Sequence, residues 1–376
     1  MKIKIAGQYF EHFNDVTIDT SLDAVASTFS FTAKFDPQNE LHKKIFKPLS
    51  YLRIEFLNDD GKPISTGTIT NHSFKSKANP ELAQISGYSL PGVLEDCNIP
   101  FDLYPLESNN RSLKQIAERL LNYFELKLII YPEVEKECNQ IIPKSVADPE
   151  ETIKDYLSKV AAQKKVILGH DVYGNVIMFR PKLNAPSKFL YVRENCEELT
   201  LDVDGQSMHS SITTLRQPAK PKKGSTDILS DDYDPLDGSD DGVLDDDYDP
   251  LAGNSTSKKK RILLPVDTVT NPMIKAKRPK VDKLSSGDET DTLKGAQNTI
   301  ANELKSIGIS FNVPRWDQLS VGDIIEVKDE TQYIYDPLRV LVANTVLSES
   351  AGQKTMSVVC VLPETFTGEM PKPLFT

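Results

Sequence analysis

Between residues 29 and 35 every second position is apolar: Phe29, Phe31, Ala33 and Phe35 alternate with Ser30, Thr32 and Lys34. Successive side chains of a β-strand point to opposite faces, so this pattern buries one face and leaves the other to water. A helix would scatter the same four side chains around its circumference. Leu52, Ile54 and Phe56 repeat the alternation around Arg53 and Glu55, and Asp60-Gly61 then supplies a hairpin turn, where glycine tolerates positive φ. Gly67 to Phe74 and Ala83 to Tyr88 read as further strands. Residues 1–100 thus predict an antiparallel β domain, a small barrel or sandwich.

The period changes after residue 100. Ser112-x-x-Gln115 is a capping-box pattern. Leu113, Ile116, Ala117, Leu120, Leu121 and Phe124 follow it at helical spacing. Leu126 to Tyr131 reads as a strand. Asp148-Pro149-Glu150-Glu151 reads as a second helix start, with Ile153, Tyr156, Leu157, Val160 and Ala161 on the buried face. Val166 to Phe179 reads as a hairpin turning at Tyr173-Gly174-Asn175. Residues 101–185 predict a compact α+β domain.

Strands resume near Phe189, and Glu198 to Leu215 alternates over one long strand or two. Residues 222–260 are then rich in Asp, Ser, Gly and Pro, and such a segment buries too little apolar surface to offset chain entropy. Within it, Asp231 to Gly238 recurs fifteen residues later as Asp246 to Gly253. Thr292 to Ile307 predicts a helix stopped by Gly308. Ser310 to Val313, Ile324 to Val327, Leu338 to Val346 and Thr355 to Leu362 predict strands, and Pro363 to Thr376 an extended tail. The division expected is 1–100, 101–185, a second β domain with a helix from 186–221 and 261–376, and a flexible insert at 222–260. The class is α+β and β-rich.

Charge sharpens this division. The chain carries 44 Lys plus Arg against 55 Asp plus Glu, a net charge of −11. Eleven aspartates fall between Asp227 and Asp249, where there is no Lys, Arg or Glu. Without that span the chain is neutral, 44 against 44. The acidity that opposes nonspecific nucleic-acid binding therefore belongs to the insert. No apolar run approaches the ~18 residues of a membrane helix, so no membrane insertion is expected.

Motifs for catalysis are missing. The sequence has no GxSxG, HExxH, Walker A or GxGxxG pattern. The histidines show no ligand spacing, and His170-Asp171 are neighbours on a strand, where they point apart. Cys97, Cys138, Cys196 and Cys360 lie far apart, without a CxxC, and read as free thiols. No cofactor is expected. The acidic repeat offers one weak calcium candidate, Asp234, Asp237 and Asp240, whose second copy is incomplete because Ala252 stands at the place of Asp237. A solvated acidic linker and a peptide-like docking motif are the competing readings. The single tryptophan, Trp316, lies in Val313-Pro-Arg-Trp316. It reads as an anchor packing a loop onto the β core, or with Arg315 as an interface hot spot.

Taken in order, these residues resemble a known family. Gly7-Gln-Tyr-Phe10, Val16 to Ala24 and the Phe29/Phe31 strand are similar to the opening of phage baseplate hub proteins, the Mu-like tail proteins related to late control protein D. Gly67-Thr-Ile-Thr and Ser86-Gly-Tyr to Cys97 resemble that family's glycine–strand element and the segment after it. Ser112 to Leu120 and Glu150 to Lys165, with Val176 to Pro181, resemble its second domain. Lys277 to Val281, Ala301 to Leu304, Val313 to Trp316, Gly322 to Val327 and Leu338 to Ala343 resemble its closing domain. The likeness spans the chain apart from about 222–260. Tyr88 stands where the family has Arg, so that arginine's role does not transfer, and Tyr88 joins Trp316 and Arg315 as an interface candidate.

The resemblance implies a non-enzymatic structural protein of contractile injection systems. It implies two tail-tube-like antiparallel β-barrel domains with a small α+β domain between them. It further implies a homotrimeric ring that adapts the sixfold tail tube to a threefold spike. The partners so implied are the chain itself, a spike protein, the tail tube or a distal tube-initiator protein, and other baseplate proteins, with DNA only in transit. The chain has no room for a spike domain after its last strands, so the spike is expected on a separate polypeptide. The place implied is the virion tail baseplate, after synthesis in the host cytoplasm. The alternatives are a tail-associated cell-wall hydrolase and a peripheral carbohydrate- or receptor-binding tail protein.

Overall fold

A computed structural model describes residues 1–22, 24–75, 82–216, 266–284 and 292–367, together with Leu374. The acidic repeat, and with it the flexible insert expected at 222–260, lies outside the described residues. The chain divides into two compact units, Met1–Asp202 with Gly308–Pro363, and Val203–Ile307 with Glu364–Thr376.

In the first unit the alternating residues form strands whose apolar faces share a core. Phe13–Ser21, Thr28–Lys34, Leu82–Ser89, Pro63–Lys75, Arg53–Leu57, Lys2–Ile5 and Gln8–Phe10 pair antiparallel in that order. Ile3, Ile5 and Phe10 from one end of this array pack in the same cluster as Val16, Ile18, Phe29 and Phe31 from the other, so the sheet curls around its core. Two glycines make the curl possible. A Cβ on Gly87 would lie 2.0 Å from Thr68 O and 2.7 Å from the Phe29 ring, and one on Gly67 would lie 2.2 Å from Tyr88 O. Only glycine permits that approach of backbone and ring.

A second set of strands encloses its own core. Glu198–Val203, Ile307–Val313, Gln353–Val361, Ile334–Ser350 and Ile324–Asp329 are neighbours in that order, and Leu190–Val192 adds parallel to Ile324–Asp329. Phe311, Val327, Val340, Val342, Val358 and Cys360 fill the interior.

The 17-residue strand Ile334–Ser350 joins the two sets. One edge pairs with Gln353–Val361 from Leu341 to Ser350. The other pairs first with Ile324–Asp329, ending at Leu341, and then with Phe13–Ser21, starting at Asn344. The irregularity between Val342 and Asn344 falls where the partner changes. An extra residue there re-aims the strand, which is the ordinary effect of a bulge. Asn344 Nδ2 donates to Asp19 Oδ1 at 2.7 Å across the new pairing. Leu347 packs against both cores. The sheet is thus continuous from one barrel-like half to the other.

The α+β module belongs to the same unit. Ser112 caps the helix Leu113–Tyr123 by accepting from Gln115 N at 3.3 Å, while Ser112 N donates to Gln115 Oε1 at 3.0 Å, the reciprocal box expected from the sequence. The second helix, Ile153–Gln163, begins later than Asp148-Pro149 predicts. Thr152 Oγ1 accepts from Asp155 N at 3.1 Å and caps it, whereas Asp148 Oδ1 closes a turn with Glu150 N at 2.9 Å. The five apolar residues foreseen on that helix are all buried. Ile167–His170, Val176–Phe179 and Leu128–Ile130 make a three-stranded sheet beside the helices.

In the second unit, Ser211–Arg216 is flanked by Val266–Thr270, antiparallel, and Pro279–Leu284, parallel. Helix Thr292–Glu303 packs Ala296 and Ile300 on Ile212 and Val269. The helix ends at Glu303 in a 3-10 turn, and Gly308 lies within strand Ile307–Val313 instead of stopping the helix. Buried Glu303 accepts from His209 N at 2.9 Å, His209 Nδ1 at 2.8 Å and Lys280 Nζ at 3.2 Å, which satisfies a carboxylate that would otherwise be costly to bury. The division read from the sequence places residues 203–221 and 261–307 with the second β domain; in the structure the described residues among them, 203–216, 266–284 and 292–307, fall in this separate unit. The segment Glu364–Thr367 is helical where the sequence predicts an extended tail, and residues 368–373 lie outside the described residues.

Candidate interface surface

Trp316 sits on the loop after Ile307–Val313, half-buried against the second β core. Its Nε1 donates to Ser348 O at 3.1 Å and to Thr355 O at 3.0 Å, clasping the hairpin formed by Ile334–Ser350 and Gln353–Val361. The indole therefore anchors a loop. Its outer face carries Lys354, whose Nζ lies 5.0 Å from the ring centroid. Lys354 is ion-paired in turn with Asp59, from the turn after Arg53–Leu57. This chain of contacts ties the turn of one β half to the hairpin of the other. The Lys354 hydrogen bond, helped by the Met1 ammonium, holds the Asp59 carboxyl down at about 2.

Arg315 faces the same groove. Its Nε donates to Asp317 Oδ1 at 2.9 Å, and Asp317 Oδ2 accepts from the buried Tyr191 hydroxyl at 2.7 Å. Burial, with Asp317 adding, pushes the Tyr191 phenol far above its usual range. Arg315 is therefore held by local partners, with its guanidinium half-exposed. Asp59, Lys354, Trp316 and Arg315 line one groove of about 1150 Å³. Asp59, Lys354, Asp317 and Tyr191 escaped the sequence reading because nothing local marks them. Asp59 and Lys354 are 295 residues apart, and only the shared strand brings them together.

Tyr88 lies elsewhere, in strand Leu82–Ser89. Its ring covers the backbone of Gly92, where a Cβ would fall 2.2 Å from the ring. Burial first, then a hydrogen bond with Asp96, raises its phenol far above the ordinary range. The structure thus brings Trp316 and Arg315 together and leaves Tyr88 as a packed residue of the first β half.

The described residues His170, Asp171 and the cysteines hold turns or lie in packed surroundings. Asp171 does not orient His170: its carboxylate accepts from Tyr173 N at 2.9 Å, Asn175 N at 2.8 Å and Asn175 Nδ2 at 2.7 Å, closing the hairpin turn. His170 Nδ1 donates to the Asp171 carbonyl at 2.9 Å. All four cysteines are free, and burial raises each thiol, Cys138 and Cys196 to about 11. A thiolate nucleophile at neutral pH is thereby disfavoured. Asp234, Asp237 and Asp240 lie outside the described residues. Among the described residues no cluster of His, Cys, Asp or Glu fits a metal ion, and no helix is long and apolar enough to cross a membrane.

Comparison of the fold with solved structures gives full-length matches. The 43 kDa tail protein of prophage MuSo2 from Shewanella oneidensis superposes with a TM-score of 0.72 at 18% identity, over 97% of this chain and 98% of that one. The tail protein from Neisseria meningitidis MC58 gives 0.70 at 16% identity, over 98% of both chains. The fold is that of a phage tail protein. A component of the E. coli type VI secretion system, described as structurally similar to the T4 bacteriophage tail proteins gp27 and gp5, shares this tail-protein fold. Its TM-score is 0.54 at 9% identity, over all of this chain and 80% of that one. A scan of the sequence against protein-family models finds no match, and neither does a search of curated proteins. The likeness is thus carried by the fold.

Proposed function

We propose that this chain is the structural hub of a contractile phage tail baseplate, three copies forming a ring that joins a sixfold tail tube to a threefold spike. One observation carries the reading: strand Ile334–Ser350 fuses two curled β halves, each with its own core, into one sheet. A chain with two tube-like domains gives six such domains per trimer, which matches a sixfold tube. The full-length fold likeness to tail proteins supports the same reading. So does the likeness to a protein described as similar to gp27 and gp5.

In this account the chain works by assembly and not by catalysis. Its partners are two further copies, a spike protein, the tail tube or its initiator, and other baseplate proteins. DNA meets the ring only in passage, and the site of action is the virion baseplate. Obligate interfaces of this kind bury about 2,000 Å² or more with an apolar centre. Leu49, Tyr51, Phe101 and Tyr104 are exposed apolar side chains of the sort such a surface uses. Trp316 and Arg315, in their own groove with Asp59 and Lys354, are the proposed hot-spot pair.

Immunogold labelling of intact tails tests the placement. Label on the tail axis at the baseplate is the result predicted; label at the periphery contradicts it and favours receptor binding. Zymography on cell-wall substrate is the companion assay, with no clearing expected and clearing favouring the hydrolase.

A further inference from the structure

The segment between strands Thr28–Lys34 and Arg53–Leu57 folds over the first β core through helix Glu40–Ile45. Ile45 and Phe46 insert into that core beside Phe10. At its centre is His42, only 5% exposed. The ring lies edge-on to Phe10 at 5.7 Å and to Phe46 at 5.8 Å, and 6.5 Å from the His12 ring. Its Nδ1 accepts the Asp36 backbone N–H at 3.1 Å. An imidazole that accepts at Nδ1 is neutral and carries its proton on Nε2. A second proton has to go onto Nδ1, where it would meet the Asp36 donor head-on. Protonation therefore breaks the bond, orphans a backbone N–H and places a charge among aromatic rings.

We propose that His42 is an acid-sensitive latch that holds residues 36–50 on the first β core at neutral pH and releases them when it is protonated. The charged groups around it are few. His12 faces it from the turn after Gln8–Phe10, and Asp36 from the loop before the helix. Glu40, Lys43 and Lys44 of its own helix are exposed to water. Burial is the largest influence and lowers the His42 pKa from 6.5; Asp36 opposes this and His12 adds to it. The unfolded segment therefore binds a proton that the latched one refuses. The contribution of the latch is complete above about pH 6.5 and falls as pH drops below it.

Asn39 marks how the rest of the segment is held without titrating. Its Oδ1 accepts from Leu41 N at 2.9 Å and caps the helix. Asp36 Oδ1 also accepts from Gln38 N at 2.8 Å and Glu40 Oε1 from Lys43 Nζ at 2.7 Å. Carboxylates ordinarily change charge at about 4, so among these partners the His42 ring is the one whose ordinary range lies between about pH 5 and 7.5.

Hydrogen–deuterium exchange of the assembled full-length protein tests the latch. Protection factors of amides in 36–50, corrected for intrinsic rates, are expected to fall several-fold between about pH 7.5 and pH 5, the range in which histidine changes charge. In His42→Asn the side-chain oxygen can take the place of Nδ1 and does not titrate, so protection there should no longer depend on pH. Unchanged protection in the wild type, or loss at acid pH that persists in the variant, overturns the proposal. Should the variant not fold, nitrogen-15 shifts of the wild-type ring decide. An Nε2–H tautomer titrating below 6.5 is expected, and an Nδ1–H tautomer overturns the latch.

Discussion

Trp316 illustrates how one side chain can serve packing and contact together. Its indole N–H is shared between two carbonyls of a hairpin, while its outer face carries Lys354. Trp316→Phe keeps the ring and removes both hydrogen bonds. It should cost about 1–2 kcal/mol in chemical denaturation, the scale of a lost hydrogen bond with an unsatisfied acceptor. The Lys354–Asp59 pair makes a second prediction. Carbon-13 titration of Asp59 should give about 2 in the native protein, and Lys354→Ala should move it back toward 3.8. A depressed carboxyl stabilises the fold above 3.8, and that contribution fades as pH falls toward about 2. Asp59 is well exposed, so the pair is a local tie and not a main source of stability.

At the scale of elements, the shared strand is the feature on which the first unit depends. Leu347→Ala should loosen both cores at once. A loss of about 1–3 kcal/mol is expected in thermal or urea unfolding, because a half-buried leucine leaves a partial cavity. Most of these elements were legible in the sequence because the period of burial is local. Phe29, Phe31 and Ala33 announce their strand, and Leu113 to Leu121 their helix. Asp148-Pro149 does not open the helix because Pro and acidic residues also make turns, and Thr152 competes with them as a cap. The partner switch at Val342–Asn344 was not legible. It depends on pairing with residues more than 300 positions away, which no local pattern encodes. The Asp59–Lys354 tie was hidden for the same reason, whereas Trp316 and Arg315 could be singled out by residue type alone.

At the scale of the molecule, the acidic insert is expected to be separable from the proposed assembly. Leu215 and Val266, on either side of residues 217–265, are direct partners across two strands. Deleting 225–257 leaves 217–224 and 258–265 to close the connection, ample for a hairpin loop. The shortened chain is expected to elute and sediment as the same oligomer as the full chain, with its net charge raised to near zero. Loss of the oligomer would make the insert structural.

The most direct test of the hub reading is the mass of the purified full-length protein in solution, by light scattering or native mass spectrometry at micromolar concentration. The account predicts a trimer, three times the 42.0 kDa chain. A stable monomer, unchanged by addition of the spike and tube proteins, would contradict it.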